Sequence, residues 1–375
     1  MAEPRPITIQ DARGTLSTVF SEATTPEQRL RGARLAATAF GKSLSQEGYL
    51  KRDEFLSKAP LASGPKGWHI WNLTVADDPE HVIAMCKTMH RDLLLREGVE
   101  PTVRQEQGYC VCSVVTDSRY RGRGLASVLL KSVAEWIDGP GGAAASMLYS
   151  DVGDFYVSKG WDILDAFQTV MTVPSSLPPR DKIPKLPLTR PITSADIPSL
   201  CERDVESLKY DFENKSDLPP DTVLTTVLPT PDLINWLQTR ADYMNDKLAN
   251  QVPTSKGSIC ESADAWVYWF TDIHGHKITI QRIKPPKDQS EEVTTHVLAA
   301  LLFDVLEEAA KWKISEIIIW NPSPELHTAI KSLAEKIGVR VVNEKRDTAQ
   351  IPCLRWRGGE KKKTVFSPNE YYAWS

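Results

Sequence analysis

Between Cys112 and Ala126 the chain reads CSVVTDSRYRGRGLA, an apolar β-branched run, then a basic, glycine-punctuated turn that leads into a helix over Ser127–Asp138. Residues of these types in this order can build a receptor for a diphosphate. Gly122 and Gly124 lack the Cβ atoms that would block close approach to phosphate oxygens, and they permit backbone angles that other residues avoid. Amides of the turn can then converge on one anion. The unpaired N–H groups and the positive dipole end of the following helix face the same way. Arg121 and Arg123 add positive charge at the rim. No Lys-Ser or Lys-Thr pair follows the glycines, so this is not a Walker loop, and a dinucleotide fingerprint would want a third glycine.

One strand downstream stands SMLYSDVGDFYVSKGW. Met147–Ser150 reads as a short buried strand, Val152–Lys159 as a short helix, and Gly160-Trp161 as its stop and the start of the next strand. The spacing Arg121-x-x-Gly124-x-Ala126 matches the R/Q-x-x-G-x-G/A signature of GCN5-related N-acetyltransferases (GNAT), and the chain resembles that superfamily. The superfamily's F-Y-x-x-x-G-F/W segment carries over to Phe155, Tyr156, Gly160 and Trp161. The resemblance implies acetyl-CoA as co-substrate, held by the backbone of Val114 and Thr116 and by Arg121, Gly122, Arg123, Gly124, Leu125 and Ala126. It also implies direct transfer through a tetrahedral intermediate, with Tyr156 protonating the departing thiolate. W-x-x-W-N-L at Trp68–Leu73, Met85–Thr88 and LYSDVG at Leu148–Gly153 are similar, more narrowly, to fungal lysine acetyltransferases of the lysine-degradation type. The acceptor implied is the ε-amine of free L-lysine. Lys87 departs from that pattern, which carries an acidic residue there, and the SD-G-x-FY spacing differs by one residue. These departures leave the acyl-CoA chemistry untouched but leave open another amine, such as a secondary metabolite that is detoxified; a CoA-binding pseudo-enzyme or assembly module is the alternative of another class, against which Tyr156 and the glycine turn argue.

Acetyl transfer needs a neutral amine, yet a lysine ε-amine with a pKa near ~10.4 is neutral in only about one molecule per thousand at neutral pH. Asp151, Glu106, His69 and His90 are the candidate proton acceptors, and Asp151 lies in the best-matched segment, where it could instead cap the short helix. An amino-acid acceptor also brings a carboxylate, for which Arg91, Arg104 or Arg282 could supply a guanidinium fork. Cys110 and Cys112 alone raise a ping-pong route, and no histidine accompanies them nearby.

Around these residues the chain has the makings of a mixed α/β fold. Helices are expected over Pro26–Phe40 and Gln46–Leu56, antiparallel strands over Trp68–Val75 and His81–Thr88, a central strand over Gly108–Thr116 and a helix over Gly124–Asp138. That is the acetyltransferase order. VPSSLPPRDKIPKLP, with five prolines in fifteen residues, breaks the chain after it. The expected division is therefore a GNAT domain at 1–173, a linker at 174–187 and a C-terminal GNAT-like domain at 188–375. In the second half a hairpin at Ala265–Phe270 and Lys277–Ile283, a helix Thr294–Lys313, a strand Glu316–Trp320, a helix Pro324–Ile337 and a strand Val339–Asn343 repeat the first in outline. KPPKDQSEEV stands where the glycine turn should be, acidic and proline-bearing, so this copy is expected to be degenerate, with no cradle of its own; an unrelated α/β domain is the alternative. The C-terminal run NEYYAWS is too aromatic for a free tail and is expected to dock, against the cleft or on the second domain.

Composition is that of a globular protein: 375 residues, 41% hydrophobic and 25% charged, with 45 basic against 49 acidic residues for a net charge of −4. No broad basic face for nucleic acid is expected. No run approaches the roughly 20 apolar residues that span a bilayer, and the start MAEPRPITIQ lacks a signal-like apolar stretch, so a cytoplasmic location is expected. Six dispersed cysteines and seven histidines without an i, i+4 pair give no metal or disulfide pattern. Oligomeric state is not legible.

Overall fold

The computed structural model describes residues 3–64, 66–98, 100 and 102–374. In chain order the elements of the first half are β1 (Arg5–Asp11), β2 (Gly14–Glu22), α1 (Pro26–Phe40), α2 (Gln46–Ser57), β3 (His69–Val75), β4 (Asp78–Glu97), β5 (Val103–Thr116), α3 (Leu125–Asp138), β6 (Ala145–Ser150), β7 (Asp162–Ile163) and β8 (Phe167–Thr172). Those of the second half are β9 (Arg190–Pro191), α4 (Ile197–Glu213), β10 (Thr222–Val227), α5 (Pro231–Ala249), β11 (Gly257–Cys260), β12 (Ala265–Asp272), β13 (Lys277–Lys284), α6 (Glu291–Lys311), β14 (Glu316–Trp320), α7 (Pro324–Ile337), β15 (Arg340–Lys345), β16 (Ile351–Trp356) and β17 (Lys363–Phe366).

Local signals set many of these limits. Thr25 caps α1 in a reciprocal capping box with Gln28, and Pro26 takes the first helical position. Ser323 caps α7 by accepting from the Leu326 amide, Pro324 takes its first position, and Gly338 closes it with φ +73. On α3 the buried residues Leu125, Leu129, Leu130, Val133 and Ile137 form one stripe and pack on Ile83, Tyr109 and Val111 of the sheet. Burial of such side chains contributes about 1.5–3 kcal/mol each, and this anchors the start of α3 against β5. α6 is buried nearly all round, with Val297, Leu298, Leu301, Leu302, Val305 and Leu306 between its sheet and α7.

Among the described residues, ten strands form one mixed sheet in the order β1-β2-β3-β4-β5-β6-β16-β7, with β10 on the far end of β4 and β17 on β10. Seven form a second, in the order β15-β8-β14-β13-β12-β11-β9. Each contains a parallel pair joined through a single helix, β5 with β6 across α3 and β13 with β14 across α6, and the first sheet has a further parallel pair in β10 and β17. Beside each parallel pair lies an antiparallel strand from the other half of the chain. β16 pairs β6 from Ile351↔Ser150 to Trp356↔Ala145, and β8 pairs β14 from Glu316↔Thr172 to Trp320↔Gln168. Each helix-joined pair is thus flanked by one strand from the other half, and the second half adds β10 and β17 to the first sheet besides. Chain position and sheet membership part company on both sides of the proline-rich segment, whose only regular element is a one-turn 3-10 helix at Arg180–Lys182.

Three expectations about elements are revised. Val152–Lys159 is not a helix: it is a series of turns ending in a 3-10 turn at Val157–Lys159, because Ser150 Oγ takes the Val152 amide (3.2 Å) and Gly153 adopts φ +58. The strand expected at His81–Thr88 runs on to Glu97. Its charged residues are tolerated because Arg91, buried, donates to the carbonyls of His90 (2.9 Å) and Ala373 (3.4 Å). The hairpin of β1 and β2 adds to the expected elements; its inner positions, Ile7 and Ile9 on β1 and Leu16, Thr18 and Phe20 on β2, form only a short alternation.

Candidate active site

β5 and β6 pair only from Gly108↔Ala145 to Cys110↔Met147, and the strands then diverge. Opposite the gap, β5 carries a bulge. Lys87 faces Cys112 and Met85 faces Val115, so Ser113 (φ +54) and Val114 share one partner position. Val114 and Thr116 therefore lie on backbone that β6 leaves uncovered, where main-chain groups are available to a ligand. After Thr116, Asp117 ties the turn by accepting from the Arg119 amide (2.9 Å) and side chain (2.8 Å). That contact holds its carboxyl down at about 2.

Gly122 and Gly124 have φ +80 and +77, and nothing lies within 4 Å of where a Cβ on Gly124 would stand. Gly124 also occupies the N-cap of α3 and offers no side chain to its first amides. A groove of about 570 Å³ results, lined by Val114, Thr116, Arg121, Gly122, Gly124, Leu125 and Ala126, with Tyr156 at one end. These residues fit a diphosphate: open space, uncapped helix amides and a cation at the rim. Arg123, expected with them, points elsewhere. Its guanidinium is engaged by Asp11 Oδ2 (2.6 Å) and the Gly14 carbonyl (2.8 Å), tying the cradle to the β1–β2 hairpin. The hairpin contributes a different cation, Arg13, whose Nη2 lies 3.1 Å from the Cβ position of Gly122.

Phe40, Val114, Val152 and Tyr156 also line a second cavity, of about 340 Å³. Tyr156 stands where the two meet. Burial pushes its phenol well above the ordinary range, and nearby Cys86, Cys353 and Asp151 act in the same direction, so it stays protonated at any working pH. Asp151 lines the same cavity and accepts the Gln350 amide (2.9 Å). Deeper, Asp53 is ion-paired to buried Lys87, whose ammonium sits 3.8 Å from the centre of the Trp68 ring. Cys112 is on the wall, its thiol pushed up to about 11 by burial, so the thiolate needed for an acyl-enzyme is scarce.

Two arginines that sequence reasoning missed complete the lining. Arg52 of α2 leans over the Tyr49 ring at 4.4 Å with its Nε buried and without a hydrogen-bond partner, and Arg240 of α5 lies 5.0 Å from the Trp374 ring. The other candidates lie elsewhere. His69 Nδ1 is 2.7 Å from Glu22 Oε1, among Trp71, Tyr109 and Trp136. His90 meets Asp92 (2.9 Å), and Glu106 is on β5 before its pairing with β6 begins. Arg91 serves backbone carbonyls, Arg104 pairs with Glu97 (3.2 Å), and Arg282 is buried between Asp204 and Glu370. The aromatic tail docks on both halves. Tyr372 donates to the Val227 carbonyl (2.6 Å), Tyr371 packs on Trp320, and Trp374 reaches the cavity. Among the described residues no group of three His, Cys, Asp or Glu side chains is placed to hold a metal ion, and no helix is long and apolar enough to cross a membrane.

A parallel strand pair that splays over a bulge, a glycine turn at a helix start and a buried phenol at the junction are the features of a GNAT-type N-acetyltransferase, the class already suggested by the sequence. Residues 174–375 match the family described as the LYC1 GNAT-like C-terminal domain, more than half of the chain, and the chain belongs to that family. It is 22% identical over 354 residues to a protein named lysine acetyltransferase from Yarrowia lipolytica (strain CLIB 122 / E 150), covering 84% of this chain and 87% of the relative. In fold it is similar to a conserved protein of unknown function, a probable N-acyltransferase, from Enterococcus faecalis V583. The TM-score is 0.57 at 11% identity, over 90% of this chain and 72% of that one. It is similar as well to Eis1 from Mycobacterium abscessus, with a TM-score of 0.51 at 14% identity, over 91% of this chain and 73% of that one.

Proposed function

We propose that this protein transfers the acetyl group of acetyl-CoA to the ε-amine of free L-lysine. The observation that carries the reading is the placement of Tyr156, shared by a groove fit for a diphosphate and a charged cavity of small-molecule size. The name of the Yarrowia relative supports lysine as the acceptor. Acetyl-CoA supplies an activated thioester.

The protein's part begins with binding. The α3 amides, Gly122, Gly124, Arg121 and Arg13 receive the diphosphate, and the uncovered backbone at Val114 and Thr116 orients the thioester and polarises its carbonyl without reorganisation. Asp151, exposed enough to reach solvent, accepts a proton from the acceptor's ammonium directly or through water, which frees the neutral amine to attack the thioester. Asp53 is less suited to that role because Lys87 already engages it. Tyr156, which burial keeps protonated, donates its phenolic proton to the leaving sulfur. The protonated Cys112 leaves direct attack as the route.

Thiol release from acetyl-CoA with a panel of amines tests this. Turnover of lysine at its ε-nitrogen, located by NMR of the product, is expected. Coenzyme binding without lysine turnover would overturn the proposal, and preferential turnover of another amine would replace the acceptor.

A further inference from the structure

We propose that Arg52 and Arg240 hold the α-carboxylate of the acceptor, so that the cavity selects an amino acid over a bare amine. The inference rests on the reading of this cavity as the acceptor site. Its charged lining is Arg52, Asp53, Lys87, Asp151 and Arg240. Lys87 and Asp53 neutralise each other. Asp151 lies in the segment that carries Tyr156, at the side shared with the groove through Val152. That leaves two guanidinium groups, neither of which forms an ion pair with a carboxylate among the described residues.

Each has instead an aromatic ring beneath it, Tyr49 for Arg52 and Trp374 for Arg240. A ring fixes the plane of a guanidinium while leaving its N–H edge free to bind. Arg240 is also close enough to feel Arg52. Burial, with that neighbouring positive charge, lowers its pKa, although Tyr371, Asp272 and Tyr49 oppose the effect. Two like charges facing one partly buried space are unfavourable until an anion joins them. A planar carboxylate matches such a fork in shape as well as in charge.

The two arginines come from different halves of the chain. Arg52 is on α2 and Arg240 on α5, helices that meet where the Phe55 and Tyr243 rings pack 5.0 Å apart. The carboxylate would thus be gripped across the junction between halves. This gives the second half a task in recognition, though it carries no cradle.

The test is equilibrium binding, by calorimetry on the full chain with coenzyme A present, of L-lysine, lysinamide and 1,5-diaminopentane, which is lysine without its carboxylate. Lysine is expected to bind roughly 100-fold more tightly than either carboxylate-free amine. Arg52→Gln and Arg240→Gln should each remove most of that gap by weakening lysine, without weakening diaminopentane, and leave the affinity for coenzyme A unchanged. Equal binding of the three ligands by the unaltered protein, no detectable lysine binding, or equal losses for all ligands in both variants would overturn the clamp. Lysine selected in this way but never acetylated would leave the clamp standing and refute the proposed reaction instead.

Discussion

The two strand-to-helix junctions of this molecule, Thr116 to Leu125 and Lys284 to Glu291, share a layout but open their helices in opposite ways. Both follow a strand with a bulge, the first between Met85 and Lys87 of its neighbour, the second between Tyr268 and Trp269. Both parallel pairs stop after three rungs. At the first junction the helix start is bare, with left-handed glycines and no side-chain cap. At the second, Ser290 caps the Val293 amide, Glu291 and Glu292 fill the first turn, and the Ile283 amide donates to Glu370 of the tail (3.0 Å). Glu370 is itself held by Arg282 (2.7 Å). The protein has placed its own carboxylate where the first half leaves backbone uncovered. A helix N-terminus attracts anions in either case; what differs is whether the anion is already built in.

The strongest way to break the comparison is to separate its terms. A chain ending at Val173 lacks β16, leaving β6 an open edge and β7 without its partner, so we expect no cooperatively folded cradle domain by circular dichroism and amide exchange. A well-folded fragment that binds acetyl-CoA would show that the exchanged strand is dispensable. Next in size, Gly124→Asp puts a side chain at φ +77, a strain of about 1–3 kcal/mol, and a negative charge at the α3 N-terminus. Calorimetry should find one acetyl-CoA per unaltered chain and none on the variant. Two sites on the unaltered chain would mean that the second junction is not closed. Tyr156→Phe keeps the ring and removes the proton donor; we expect kcat to fall about 100-fold with unchanged affinity for acetyl-CoA. An unaffected rate would take Tyr156 out of the chemistry.

The smallest effect concerns the approach to the cradle. The Asp117 carboxyl titrates lower in the folded chain than in the unfolded one, chiefly through its hydrogen bond from Arg119. Its stabilisation is therefore complete above the unfolded value of ~3.9 and is lost as the pH falls toward 2. Asp117→Asn should flatten thermal stability over that acidic window by about 1 kcal/mol or less, Arg119 being largely exposed. An unchanged acid profile would show that the turn does not depend on that pair.

What the sequence made legible was local. The glycine turn, the helix it opens, Tyr156 and the acidic replacement at the second junction all lie in short windows where residue type dictates backbone angle or charge. The limits of β14 and α7 were read directly for the same reason. The rest depends on distant partners. Arg52 sits in the polar helix QEGYLKRDEFLS and Arg240 in PDLINWLQTRADYMNDKLA, and nothing in either window marks an arginine that faces a cavity. Arg123 looks free beside two glycines until Asp11 arrives from over a hundred residues away. Arg13, beside Gly122, comes from the turn of a hairpin whose approach to the glycine turn is set by distant packing. The exchange of β8 and β16 is invisible because the choice of neighbour is made by topology and not within either segment.

The reciprocal exchange also orders events during synthesis. β6 leaves the ribosome long before Ile351–Trp356, the strand that must cover its edge. Nascent chains must therefore wait with that edge exposed, and the segment from β6 to β8 is where a chaperone or a mispaired second chain would find its opening.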